Sequence, residues 1–176
     1  MSDIAPSTAA AASPAQSRDP VLNASPEVRA EVIGLLERAG YGSLSWRDAQ
    51  DGHPGISRIA FAFDPKAGPL TAISGLAPHF AALKADPACA LMVEDGGAKG
   101  DPMTRPRVMI RARANFLPRE AENHAEMQAR WIERNPKAKI YIGLSDFRFV
   151  RLEVISALYN GGFGRAFRLS PQDLTP

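Results

Sequence analysis

The residues best placed to do chemistry are Ser74 and His79, which bracket Gly75-Leu76-Ala77-Pro78. Leu70 to Ser74 reads as a buried strand, with Leu70, Ala72 and Ile73 as its apolar residues. Leu76 to Ala85 reads as a short helix, with Leu76, Leu83 and intervening alanines on one side. Ser74 falls where that strand ends and predicts an N-cap. Asp86-Pro87 stops the helix, because a residue before proline is pushed out of the α region. A strand that hands over to a helix start leaves backbone N–H groups unpaired and adds the positive end of the helix dipole. Such a corner suits a phosphate or a carboxylate. A plain capped helix with a surface histidine is the alternative, and these residues alone leave it open.

Other chemistries find less support. His53, His79 and His124 lack any paired-ligand spacing, so no metal site is expected. There is no Gly-x-Ser-x-Gly elbow, and Ser57 has no evident base. Gly161-Gly162-Phe163-Gly164 opens no helix inside a βαβ unit and reads as a turn, not a dinucleotide fingerprint. The single cysteine, Cys89, can form no internal disulfide and reads as a small core residue. Trp46 and Trp131 also read as core. A net charge of +2 gives no case for nucleic acid. No apolar run approaches the roughly 18 residues of a membrane span, and no secretory signal is visible; a cytoplasmic, reducing location is expected.

The elements that must position Ser74 and His79 follow from periodicity. Residues 1–22, rich in Ala, Ser and Pro, read as a disordered tail before a single domain over 23–176. Ser25-Pro26-Glu27 opens a helix whose buried face is Val28, Val32, Leu35, Leu36 and Ala39, with Gly40 as its cap. Tyr41–Arg47 and His53–Phe63 read as two strands around an Asp51-Gly52 turn. A turn over Asp64–Pro69 leads into the Leu70 strand, and Cys89–Glu94 is the strand after the short helix. Gly96–Pro106 is a loop long enough to be functional. Arg107–Phe116 alternates cleanly: Val108, Ile110, Ala112, Ala114 and Phe116 face one way, and Arg107, Met109, Arg111, Arg113 and Asn115 the other. That second face is either ligand-facing or simply solvated. Pro118–Arg134 reads as a second long helix with Ala121, Ala125, Gln128 and Ile132 on one face; Phe147–Ile155 and Ala166–Leu169 are the last strands. Many strands joined by hairpin-length turns favour an antiparallel barrel with flanking helices, a mainly β (α+β) fold.

The ordered set of short motifs is similar to the pyridoxamine 5′-phosphate oxidase-like FMN-binding split β-barrels, in the branch related to haem-utilisation flavoproteins. The matching pieces are Gly42-Ser43-Leu44-Ser45, Asp51-Gly52-His53-Pro54-Gly55-Ile56-Ser57, Ile73-Ser74-Gly75-Leu76-Ala77-Pro78-His79, Asp86-Pro87, Arg107-Val108, Asp146-Phe147 and Gly161-Gly162-Phe163-Gly164. The resemblance covers about residues 25–170. It implies a homodimer with FMN at the subunit interface. It places the flavin phosphate on Ser57, Ser74 and His79, the ring along the backbone of Ser57, Arg58, Ile59 and Ala60, and Arg107 near the flavin. No catalytic side chain is assigned, since hydride transfer at a flavin requires none. Phe80 and Ala82 stand where the branch has Thr and Asn, and Pro78-His79 where the vitamin B6 oxidases carry Arg-Lys. Their C-terminal arginine segment has no clear counterpart, so vitamin B6 oxidation is not implied. No histidine follows His124, so haem degradation is not implied either. The resulting expectation is an FMN-dependent oxidoreductase of unknown substrate. The alternative is a non-enzymatic flavin or haem carrier on the same barrel.

Overall fold

A computed structural model describes residues 21–96 and 100–174. The element order is β1 (Leu22–Asn23), α1 (Pro26–Arg38), β2 (Tyr41–Arg47), β3 (Pro54–Ala60), β4 (Ala62–Asp64), β5 (Gly68–Ser74), α2 (Pro78–Ala85), β6 (Ala88–Glu94), β7 (Arg107–Phe116), α3 (His124–Arg134), β8 (Phe147–Asn160) and β9 (Ala166–Leu169). Short 3-10 turns lie at Pro102–Thr104, Pro136–Ile140 and Pro171–Leu174.

The strands form one sheet in the order β1-β9-β8-β7-β6-β2-β3, and β5 joins β4 to the near end of β8. All ladders are antiparallel except the short β1–β9 pair. β8 is the spine of this arrangement. Its Phe147–Arg151 half pairs with β5, its Ala157–Asn160 end pairs with β9, and β7 runs along its other edge. A bulge beside Arg111 and Ala112 lets β8 curve. β3 and β5 come close without forming a ladder, so the barrel is split between them.

Two apolar clusters hold the fold. The larger fills the barrel: Leu44, Phe61, Ile73, Leu91, Ile110 and Leu152 are almost fully enclosed, and α1 closes one end with Val28, Val32, Leu35 and Leu36. The smaller lies outside it, where Met127 and Trp131 of α3 pack on Leu70 and Phe149. Phe149 receives the edges of both Trp131 and His124.

Several sequence-based boundaries shift. Residues 1–20 of the expected tail lie outside the described residues, while Leu22 belongs to a strand paired with Phe167. α1 is capped by Ser25 as expected, but it ends on extended Ala39, whose N–H reaches the carbonyls of Leu35 and Leu36; Gly40 takes no left-handed turn. The strand expected over His53–Phe63 breaks at Phe61, because Ala60 still opposes β2 whereas Ala62 opposes Leu70 of β5. α3 starts at His124 rather than Pro118, and its buried residues are Met127 and Trp131; Ala125 is exposed. A helix begun at Pro118 would have added Glu120, Glu122 and Asn123, which have nothing apolar to bury. β8 runs five residues past Ile155. Trp131 is core as read, whereas Trp46 is only half-buried, at the barrel rim. Among the described residues, no helix is long and apolar enough to cross a membrane.

Candidate functional site

The strand-to-helix corner is built differently from a direct hand-over. α2 begins at Pro78, its cap residue is Ala77, and no side chain caps it. Ser74 is therefore not the N-cap of α2. Its hydroxyl donates to Asp146 Oδ2 at 2.6 Å and accepts the N–H of Leu76 at 3.2 Å. The Gly75 N–H bonds the Asp146 carbonyl at 3.0 Å. The four-residue interval thus forms a tight turn fastened to the loop before β8, and it holds Leu76 outward at 89% exposure.

His79 is the second residue of α2 and lies half-buried with its ring 6.5 Å from that of Trp46. Burial pulls its pKa below the ordinary histidine value, and Nδ1 is enclosed without a hydrogen-bond partner. Trp46 in turn donates its indole N–H to Ser57 Oγ at 3.0 Å. The indole lies flat across Gly55, where an added Cβ would meet ring atoms at 2.4 Å. Gly55 is thus required by the ring. The indole also walls a groove of about 420 Å3 with Ser45, Arg47, Pro54, Cys89 and Arg111. That groove opens because β2 and β6 pair only over Ser43–Ser45 and part beyond it. Burial, then the charge of Asp86, pushes the Cys89 thiol up to about 11, so the thiol stays protonated and inert.

β3 supplies the next component. The Asp48 N–H bonds the His53 carbonyl and the Phe61 N–H bonds the Gly40 carbonyl, which fixes the alternation of the β2–β3 ladder. Gly55, Ser57 and Ile59 then exchange backbone bonds with β2, while those of Ile56, Arg58 and Ala60 face the outer edge. The Ala60 carbonyl is taken by the Thr71 hydroxyl at 2.7 Å. Ile56 and Arg58 thus present backbone donors and acceptors at the split, with no strand paired to that edge.

The expected site residues are brought together only in part. Ser57 and His79 both meet Trp46. Ser74 is fastened to Asp146, Ile59 buries its side chain in the barrel, and Arg58 extends over the Tyr41 ring on the outer face. Arg107 stands three strands from β3, on the opposite sheet face from Ser57, and donates to the Met103 and Arg105 carbonyls. Phe80 turns into the barrel against the Phe116 ring and Ala82 is buried, so neither occupies the corner. Trp46 and Asp146 are the site residues missed by motif reading alone. Asp146 was visible only as part of Asp-Phe, and Trp46 only as an apolar residue facing Gly55 across a hairpin.

Together, Ser57, Ser74 and His79 offer hydroxyls and a neutral imidazole but no formal charge. Apolar Leu76 stands exposed beside Ser74, while Ile56, 76% exposed, projects from the opposite face of β3 from Ser57. Such a set suits a planar, largely apolar molecule that brings its own hydrogen-bonding edge. Among the described residues there is no grouping of three or more His, Cys, Asp or Glu that could hold a metal ion directly.

The ladder order and the gap between β3 and β5 define a split β-barrel. The family model for pyridoxamine 5′-phosphate oxidase matches residues 28–160, and the chain belongs to that family. The chain is 32% identical over 135 residues to heme oxygenase HutZ of Vibrio cholerae, covering 74% of each. It is 28% identical over 138 residues to the non-canonical heme oxygenase HOZ, chloroplastic, of Arabidopsis thaliana, covering 78% of this chain but only 41% of the plant protein. The solved heme binding protein from Mycobacterium smegmatis is 25% identical with a TM-score of 0.74, over 88% of this chain and 62% of that one.

Proposed function

We propose that this chain acts as a homodimer that binds haem at the β3–β5 split, with FMN as the second reading. The observation that carries it is the conjunction at the split: an unpaired β3 edge, the exposed Leu76, and the neutral trio Ser57, Ser74 and His79. Haem is the first occupant because the relatives HutZ and HOZ are named heme oxygenases, and because the charged group bonded to Ser74 at this corner is the Asp146 carboxylate, which repels a phosphate dianion. His79, kept in the neutral form that binds iron, is the histidine that stands beside Trp46 at the split. His53 lies in the hairpin turn, and His124 packs on Phe149. Haem, when bound, supplies iron redox chemistry; the protein supplies orientation and exclusion of water.

FMN-dependent oxidoreduction is favoured by one separate feature. The backbone groups of Ile56 and Arg58 alternate donor and acceptor along the open edge, as the polar rim of an isoalloxazine would require.

The homodimer rests on the outer sheet face. Cross-strand register sets Arg58, Ser43, Met92, Met109 and Leu158 in one row and Ile56, Ser45, Ala90, Arg111 and Ser156 in the next. Met92, Leu158 and Ile155 are 38–49% exposed there, an apolar strip suited to a second copy.

Titrating the purified protein with haemin and, separately, with FMN tests the assignment. A saturable Soret shift at one haem per chain, weakened in His79→Ala, is the expected result. Saturable quenching of flavin fluorescence with no Soret shift would install the FMN reading instead. Adding a reductant and oxygen to the haem complex then separates turnover, seen as Soret loss, from carriage.

A further inference from the structure

The groove beside Trp46 takes no part in the cofactor reading, although at about 420 Å3 it is large enough for a small molecule. It exists because β2 and β6 part after Ser45 and Ala90, one rung before Arg47 would meet Ala88. The Ala88 N–H turns instead to Asp86 Oδ1 at 3.0 Å. By the alternation of the ladder, the backbone of Arg47 faces the gap. Ser45, Ala88 and Ala90 make a shallow floor, and the indole, Pro54 and the Cys89 thiol add apolar walls.

Two guanidiniums line this groove, those of Arg47 and Arg111. Their strands are two apart in the sheet, about 10 Å between axes, so both long side chains reach the space above β6. Among the described residues neither forms a hydrogen bond or an ion pair. The ladders show why. Arg111 stands opposite Ala90 and Ser156, and Arg47 opposite Pro54. The nearest carboxylates are engaged elsewhere. Glu153 faces Arg113 and bonds Asn115 and Arg151. Asp48 and Asp51 accept the N–H groups of Gln50 and His53 within their own hairpin. Asp86 is the one acid lining the groove, against two cations.

We propose that this groove is a second binding site, separate from the β3–β5 split, for a small planar aromatic acid, its ring against Trp46 and its carboxylate between Arg47 and Arg111. A single negative charge matches two guanidiniums offset by one aspartate. A carboxylate also fits the planar fork of a guanidinium, while the ring fills the space of the missing rung. The groove runs from Ala90 toward Asp86, away from Met92 and the apolar strip assigned to the dimer. The inference does not rest on the cofactor reading, since neither arginine belongs to the split.

Calorimetric titration of the full chain with benzoate, benzamide and inorganic phosphate tests it. Saturable binding of benzoate, one per chain, is expected, with benzamide and phosphate each weaker by about tenfold or more. Arg47→Gln and Arg111→Gln are each expected to weaken benzoate by about tenfold; both side chains are exposed, so the fold is retained. Arg113→Gln, on the same face of β7 but opposite Glu153, is expected to leave benzoate affinity unchanged. A second readout fixes the place: in a Trp131→Phe chain, saturating benzoate should alter the emission of Trp46. No saturable benzoate binding, equal affinity for benzamide or phosphate, equal loss in all three arginine variants, or an unmoved Trp46 emission would each overturn the proposal.

Discussion

Two enclosed groups on opposite sides of the barrel, Asp64 and His79, are treated in opposite ways. On the α3 side, Asp64 is 3% exposed and fully engaged: Arg130 donates from Nε at 2.8 Å and Nη2 at 3.2 Å, and the N–H groups of Lys66 and Ala67 donate at 2.8 Å each. On the α2 side, the enclosed Nδ1 of His79 has no partner, and Leu76 and Ile56 remain in water. The first arrangement fastens a helix to the barrel and leaves neither Asp64 oxygen unpaired, although His124 Nδ1 and Trp131 Nε1 of the same helix are enclosed without a partner. The second leaves both polar and apolar capacity unspent, which costs stability and makes sense only where a ligand or second chain arrives. Unsatisfied burial alone therefore does not mark a site, since α3 carries it too; at the α2 corner it coincides with an unpaired strand edge.

The sharpest way to break this contrast is Asp64→Ala. Removing the carboxylate leaves Arg130 with Glu126 alone and strips the Lys66 and Ala67 N–H groups of their acceptor, which is expected to cost about 3–5 kcal/mol in urea unfolding; a cost below about 1 kcal/mol would erase the distinction. The same pair sets an acid limit. Burial pushes the Asp64 carboxyl up, but the Arg130 hydrogen bonds, the two backbone N–H groups and the Arg130 charge together outweigh it and hold it below the ordinary carboxylate range. A folded value below the unfolded one means the stabilisation is whole above about pH 4 and is lost as pH falls through the lower folded value. Asp64→Asn should flatten the stability profile in that window.

His79→Ala is expected to weaken cofactor binding by about 1.5–3 kcal/mol, with a smaller change in fold stability than at Asp64. Its imidazole should titrate below 6.5 by NMR, since burial disfavours the charged form. With the folded value depressed, its contribution to stability is complete above the unfolded value and declines on acidification; a midpoint above 6.5 would contradict the neutral corner. Trp46→Phe, which removes the indole N–H to Ser57 together with part of the ring over Gly55, is expected to cost about 1 kcal/mol of stability and is the smallest effect.

What could be read from sequence follows from how local each determinant is. Ser25 as the α1 cap and the alternation of Arg107–Phe116 are set within a few residues, and both match the structure. The break at Phe61 was invisible, because the apolar alternation of Ile59, Phe61 and Phe63 continues unbroken while the partner strand changes. Ser74 was read as a cap because serine at a strand end resembles one. The competing acceptor, Asp146, is seventy-two residues away and comes beside it only through the β5–β8 ladder. The start of α3 was placed too early for a similar reason: Pro118 and the two glutamates are compatible with a helix, but the packing that selects one begins at Met127.

The placement of the two tryptophans gives this protein a built-in optical gauge. Trp131 is sealed beside Phe149, whereas Trp46 rests on Gly55 with Ser57 and His79 as neighbours. Emission from a Trp131→Phe chain would then come from a single indole at the mouth of the split, where acidification of a neighbouring imidazole or arrival of an absorbing cofactor should dim it. A methyl group at position 55 would unseat that indole and detune the gauge without altering any group that donates or accepts a hydrogen bond.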